Sequence, residues 1–200
     1  MTDPAPLLLI PTQLERARLE RIAGALPRNT TLCGLGPVAA AARTASLIAA
    51  SRPSSVVLVG IAGTFDVEAF PVASAMSFDS TAIDAPALDL PAWPGDGETP
   101  AVDGPLALTH GVGGSLLLTV HHPSDGHEDV EDRRGRHPTA IGEDMEAWGV
   151  AFACALAKLP LQVARGASNV VGDRHHGNWR IDESLAAAWA LVKRRWEPES

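Results

Sequence analysis

The stretch SVVLVGIAG, residues 55–63, decides the fold. It is β-branched and apolar without alternation, and glycines close it, so it reads as a strand buried on both faces. A sheet with such a strand must be covered by helices on each side. Working back toward the N-terminus, LLLIP (7–11) is a shorter apolar run stopped by proline. TQLERARLERIAGAL (12–26) follows, with Leu14, Leu19, Ile22 and Leu26 near helical spacing. TTLCGLG (30–36) reads as a strand and PVAAAARTASLIAAS (37–51) as a helix with proline in its first turn. The order up to residue 63 is therefore β, α, β, α, β.

Beyond residue 63, PVASAMSF (71–78) is a weaker strand candidate. Residues 84–105 carry Pro86, Pro91, Pro94, Pro100 and Pro105 and read as a loop. SLLLTVHH (115–122) is expected as a strand and Glu146 to Lys158, apolar on every side, as a buried helix. LQVARGASNVV (161–171) returns as a strand. DESLAAAWALVKRRW (182–196) closes as a helix with acids early and bases late. No repeat or linker interrupts this, and 200 residues suit one domain spanning 1–200.

Composition narrows the function. Hydrophobic residues make up 46% and charged residues 20%, which suits a folded chain rather than a disordered one. A net charge of -8 gives no field to collect nucleic acid or anionic lipid. No run reaches the roughly 18 apolar residues of a membrane span, and the N-terminus lacks the positive charge of a signal peptide. Cys33 and Cys154, far apart in apolar settings, read as reduced core thiols, so a cytoplasmic location is expected.

Three stretches invite a site. GLGPVA (34–39) matches a dinucleotide-binding turn, but Ser54 and Ser55 stand where an acidic ribose partner belongs, so a tight strand-to-helix turn fits better. HHPSDGHEDVED (121–132) offers His121, His122, Asp125, His127, Glu128 and Asp129 without a metal-ligand spacing. A solvated loop is expected there, with no metal, and His175 and His176 are read in the same way. GEDMEAWG (142–149) gathers Glu143, Asp144 and Glu146. The first two suit a helix start, where acids meet the positive dipole end. Glu146 leads into an apolar helix and needs a partner, which ribose 2′- and 3′-hydroxyls would supply.

EDMEAWGVAFACALAKLPLQVARGASNVVGDR (143–174) resembles the C-terminal signature of the purine nucleoside phosphorylase and nucleosidase superfamily. There an acid-Met-Glu-small segment opens a buried helix and the next strand ends in Arg-x-x-Ser-Asp or Ser-Asn. CGLGPVAAAARTA and VVLVGIAGTFD look like two further family motifs, in the same order. PTQLERARL and SNVVGDR, with Trp179 and Ile181 downstream, are similar to the futalosine-cleaving branch. That branch carries Asn where adenine-releasing nucleosidases carry Asp, and an amide can donate a hydrogen bond but no useful proton.

The resemblance implies a three-layer α/β/α sandwich with a central mixed, mostly parallel sheet. It implies a nucleosidase that releases hypoxanthine from futalosine in menaquinone biosynthesis, without cofactor and as a homo-oligomer. Cleavage of an N-glycosidic bond builds positive charge at C1′ and negative charge on the base, and both need stabilising. On that basis Glu146 holds the ribose, Met145 packs against the sugar and Asn169 meets the base. Glu15 is the candidate water-activating base because Gln13, nearest by alignment, cannot take a proton; a solvent-facing Glu15 is the alternative. Gly60, Ala62 and Gly63 would bring backbone close to the ligand, with Gln13 and Asp144 beside it. Trp148 departs from the small residue common after Met-Glu-Ala and would reshape the pocket or an interface. Another purine nucleosidase, a phosphorylase or an inactive nucleoside-binding homologue shares the signature.

Overall fold

The architecture comes from a computed structural model, described over residues 5–85 and 104–196. Its elements begin with β1 (Leu7–Ile10), α1 (Gln13–Ala23), β2 (Thr30–Leu32), α2 (Pro37–Ser51) and β3 (Val56–Thr64). Three short strands follow: β4 (Ala75–Ser77), β5 (Ser80–Ile83) and β6 (Leu106–Ala107). The second half runs β7 (Leu116–Thr119), α3 (Gly126–Arg136), β8 (Ala140–Asp144), α4 (Ala147–Leu156), β9 (Leu161–Val170) and α5 (Ile181–Val192). The expected 84–105 loop lies almost wholly outside the described residues.

The apolar runs behave as their lack of alternation requires. Leu7 and Leu9 of β1, with Val56 and Leu58 of β3, enter one core with Ala40 of α2 and Val150 of α4. Their neighbours Leu8, Ile10, Val57 and Val59 enter a second core with Leu19 of α1 and Leu185 of α5. The sheet is thus sandwiched between two helical layers, an α/β/α arrangement. Pairings β1 to β2, β1 to β3, β3 to β9, β5 to β7 and β7 to β8 are parallel. Pairings β3 to β8, β4 to β9 and β5 to β6 are antiparallel. The sheet is therefore mixed and mostly parallel.

Two polar segments depart from expectation. The histidine-rich run is not a loop: from Gly126 it forms α3, with Glu128 and Asp129 in the first turn and three arginines in the last, a charge order that favours its dipole. Glu143 and Asp144 do not start a helix but end β8, and α4 begins only after Glu146, its N-cap. Helix α1 also buries less than its spacing suggests, since Leu14 is 54% exposed.

One topological detail creates the site. Strand β3 pairs with β9 along its whole length on one edge. Its other edge is shared: β1 covers Val56 to Leu58 and β8 covers only Gly63 and Thr64. Between them a short stretch of β3 has no strand partner, and the ends of β1 and β8 deliver their following residues into that gap.

Candidate active site

A strand edge without a neighbour leaves amides that must be satisfied. Glu15 satisfies one: its Oε1 accepts from the Ile61 amide at 3.1 Å. Its Oε2 accepts from the Thr12 amide at 3.1 Å and the Thr12 hydroxyl at 2.6 Å, closing a capping box at the start of α1. Glu15 is buried, so the solvent-facing alternative is removed. Burial pushes its carboxyl above the ordinary value, against the opposing pull of Arg165 and these hydrogen bonds.

Arg165, on β9, is fully buried. Its guanidinium binds Asp144 through Nε at 3.1 Å and through Nη2, and it reaches Glu146 Oε2 at 3.2 Å. Asp144 also accepts from the Thr119 hydroxyl at 2.6 Å and the Ala147 amide at 2.9 Å. An ideal Cβ at position 60 would stand 2.0 Å from Arg165 Nη1 and 2.7 Å from Glu15 Oε1. Gly60 is therefore needed so that the charged groups can close over the strand.

Glu146 is held from two sides, by Arg165 and by the Gly36 amide, which donates to Oε1 at 3.1 Å. Gly36 has φ 85° and caps α2, so the glycine-rich turn is a strand-to-helix turn whose amide faces a carboxylate. Burial pushes the Glu146 carboxyl up to about 8; Arg165 opposes this, while Asp144 and Glu15 reinforce it. The folded state therefore holds a proton that the unfolded chain releases near 4.5. Stability from this group is full below that value and is lost as pH rises toward about 8. Glu146→Gln is expected to gain melting temperature relative to the parent across that interval, measured by calorimetry; parallel curves would contradict it.

The carboxylates of this cluster line a cavity of about 420 Å³, ample for a nucleoside. Glu15, Asp144, Met145, Glu146, Ala62, Gly63 and Asn169 all reach it. Two expected residues do not. Gln13 lies exposed on α1, turned away because helical geometry points Glu15 inward instead. Gly60 lies behind the wall, under Arg165 and Glu15, and serves their packing rather than a ligand. Asp144 touches the cavity, but Arg165, Thr119 and Ala147 occupy its carboxylate, so it shapes the site.

Asn169 ends β9 with its amide oriented by neighbours. Its Oδ1 accepts from Ser168 Oγ at 2.7 Å; one N–H goes to the Val170 carbonyl at 2.8 Å and the other reaches Asp173 O only at 3.5 Å. Trp148 stacks on Phe152 at 5.1 Å and is absent from the cavity wall. His176 does reach the wall, edge-on to Trp179 at 4.6 Å. The sequence alone assigns no role to Arg165, although an arginine flanked by Val163, Ala164, Gly166 and Ala167 in a strand is a visible signal. Ser124 and Glu143 also line the cavity. Cys33 and Cys154 are buried free thiols, and among the described residues no helix is long and apolar enough to cross a membrane.

No family model matches the chain. It is 35% identical over 191 residues to a futalosine hydrolase from Streptomyces coelicolor, covering 82% of this chain and 79% of that protein. Its fold is similar to that of a 5′-methylthioadenosine/S-adenosylhomocysteine nucleosidase from Helicobacter pylori, with a TM-score of 0.78 and 13% identity over 98% of this chain and 99% of the other. A futalosine hydrolase structure from Helicobacter pylori aligns with a TM-score of 0.74 and 15% identity over 96% of each chain.

Proposed function

The chain belongs to the futalosine hydrolase family, and from that footing we propose that its cavity hydrolyses the N-glycosidic bond of futalosine. The products are hypoxanthine and dehypoxanthine futalosine, a step of menaquinone biosynthesis. The observation that carries this reading is the pair of buried carboxylates, Glu146 and Glu15, on opposite sides of the β3 gap at the floor of one cavity.

The roles follow from the chemistry. In its ionised form, which the ribose hydroxyls favour over the protonated one, Glu146 has one lone pair committed on each oxygen, to Gly36 and to Arg165, and keeps the others for those two hydroxyls. Met145 lies against the sugar as a soft apolar surface. As the bond from C1′ to the base breaks, its electron pair leaves with the purine and positive charge grows on the sugar. The acid-rich floor favours that charge. Water attacks C1′ and gives its proton to Glu15. The weakly held N–H of Asn169 hydrogen-bonds the departing base, which takes its proton from solvent because an amide has none to give.

Water rather than phosphate is the acceptor. The turn after β1 presents the Glu15 carboxylate to the cavity, and Arg18, which lines the cavity from α1, is paired with Asp182 at 2.7 Å. An anion would meet repulsion there. Incubation of the protein with futalosine, with and without phosphate, followed by chromatography, tests this. Equal hypoxanthine release in both is expected, whereas a sugar 1-phosphate product would rule hydrolysis out. The buried reduced thiols suit a cytoplasmic enzyme. Leu35 and Val38, 62% and 74% exposed at the cavity mouth and on the adjoining helix, support a homo-oligomer.

A further inference from the structure

We infer that Glu143 and Ser124, braced by Arg133, read the six-membered edge of the base and select a purine bearing N1–H, a 6-oxopurine, over a 6-aminopurine. This rests on the hydrolase reading above and names the groups that choose its substrate. Ser124 and Glu143 line the same cavity as Asn169. They lie on the base side of it: Asp125 bridges to Gly172, three residues past Asn169, so the Ser124 segment flanks the end of the strand that meets the purine.

The wall they form has its donors committed. The Ser124 amide donates to Glu143 Oε1 at 2.9 Å and the Ser124 hydroxyl to Oε2 at 2.6 Å. Arg133, buried on α3, donates through Nη1 to Ser124 Oγ at 2.7 Å and to Glu143 Oε2 at 2.9 Å. Its Nε is held by Asp84 at 3.1 Å and its Nη2 by the His122 carbonyl at 2.9 Å. Three of the roughly four lone-pair sites of the Glu143 carboxylate are filled, and what it still offers a ligand is an acceptor. A 6-oxopurine presents an N–H at N1 and satisfies that acceptor. A 6-aminopurine presents a bare N1, and the Ser124 amide that could have served it is bound to Glu143. Arg133 touches no ligand; it is a positioning residue that fixes both side chains in this polarity. A site built around one donor pattern rejects the analogue that leaves its buried polar group unpaired.

The test compares futalosine with its 6-amino counterpart, identical in ribose and 5′ arm, as a ratio of kcat/KM. The parent protein is expected to favour the 6-oxo substrate by at least about tenfold. Glu143→Gln puts a donor in the wall and is expected to erase at least about tenfold of that preference while the 6-amino nucleoside is still cleaved. The double variant Arg133→Met with Glu143→Leu removes the buried pair together, which such pairs tolerate better than loss of one partner. It frees the Ser124 amide and is expected to shift the ratio the same way in protein whose melting curve shows it folded. No preference in the parent, or an unchanged ratio in the folded variants, overturns the inference and leaves the hydrolase reading standing. If the parent cleaves neither nucleoside, the reading beneath fails and takes the inference with it.

Discussion

Glu15→Gln is expected to lower kcat for hypoxanthine release by about 10²- to 10⁴-fold, the usual contribution of a positioned general base. The substitution keeps shape and removes only the capacity to take a proton. It carries a folding cost, because Glu15 receives three hydrogen bonds, from the Ile61 amide and from the Thr12 amide and hydroxyl. An amide would turn its NH₂ toward one of those donors, at roughly 1–2 kcal/mol. That loss is within the margin of a domain this size, so melting and turnover can be read separately. KM should change little, because Glu15 is assigned to the attacking water and not to the sugar. A folded Glu15→Gln protein with parental kcat would remove it from the mechanism.

Arg165→Met is expected to be the most damaging single change to stability. Arg165 binds Asp144 and Glu146 directly and faces Glu15, and all four side chains are buried. Removing the one cation among three acids leaves uncompensated buried charge, which costs about 3–5 kcal/mol. For a chain of this length that lowers the melting temperature by roughly 10 °C or more. The acids can relieve the repulsion by taking up protons, so the deficit should shrink as pH falls. A deficit of equal size at acid and alkaline pH would point to lost packing rather than lost charge balance.

The parts legible in the sequence were those governed by local pattern. β1 and β3 announce themselves as unbroken apolar runs, and α2 and α5 by spacing, proline and early acids. The segment of α3 is polar nearly all round; what holds it is Arg133 reaching Asp84, Ser124 and Glu143, and Val130 under Gly172. None of those contacts leaves a periodic trace. β8 was hidden because two of its five residues are acids, and acids before an apolar helix suggest a helix start. They are tolerated in a strand only because Arg133 and Arg165 meet them from other elements.

The site divides along the same line. Glu146, Asn169, Met145 and Glu15 were found through short motifs, and all four reach the cavity. Glycines at a strand end suggest close approach of a ligand to Gly60. The approach is real, but the atoms that approach are Arg165 Nη1 and Glu15 Oε1. Gln13 is close to Glu15 in sequence, but helical rotation turns it away from the cavity that Glu15 enters.

The central claim is that the Glu146 carboxylate holds the ribose of a nucleoside undergoing hydrolysis. The most direct measurement is hypoxanthine release from futalosine by the parent and by Glu146→Gln, followed in a coupled xanthine oxidase assay in the absence of phosphate. The account predicts steady release by the parent and a loss of at least about 10²-fold in kcat/KM for the variant, the scale of a misplaced reacting centre. Parental rates from a Glu146→Gln protein with an intact melting transition would contradict it.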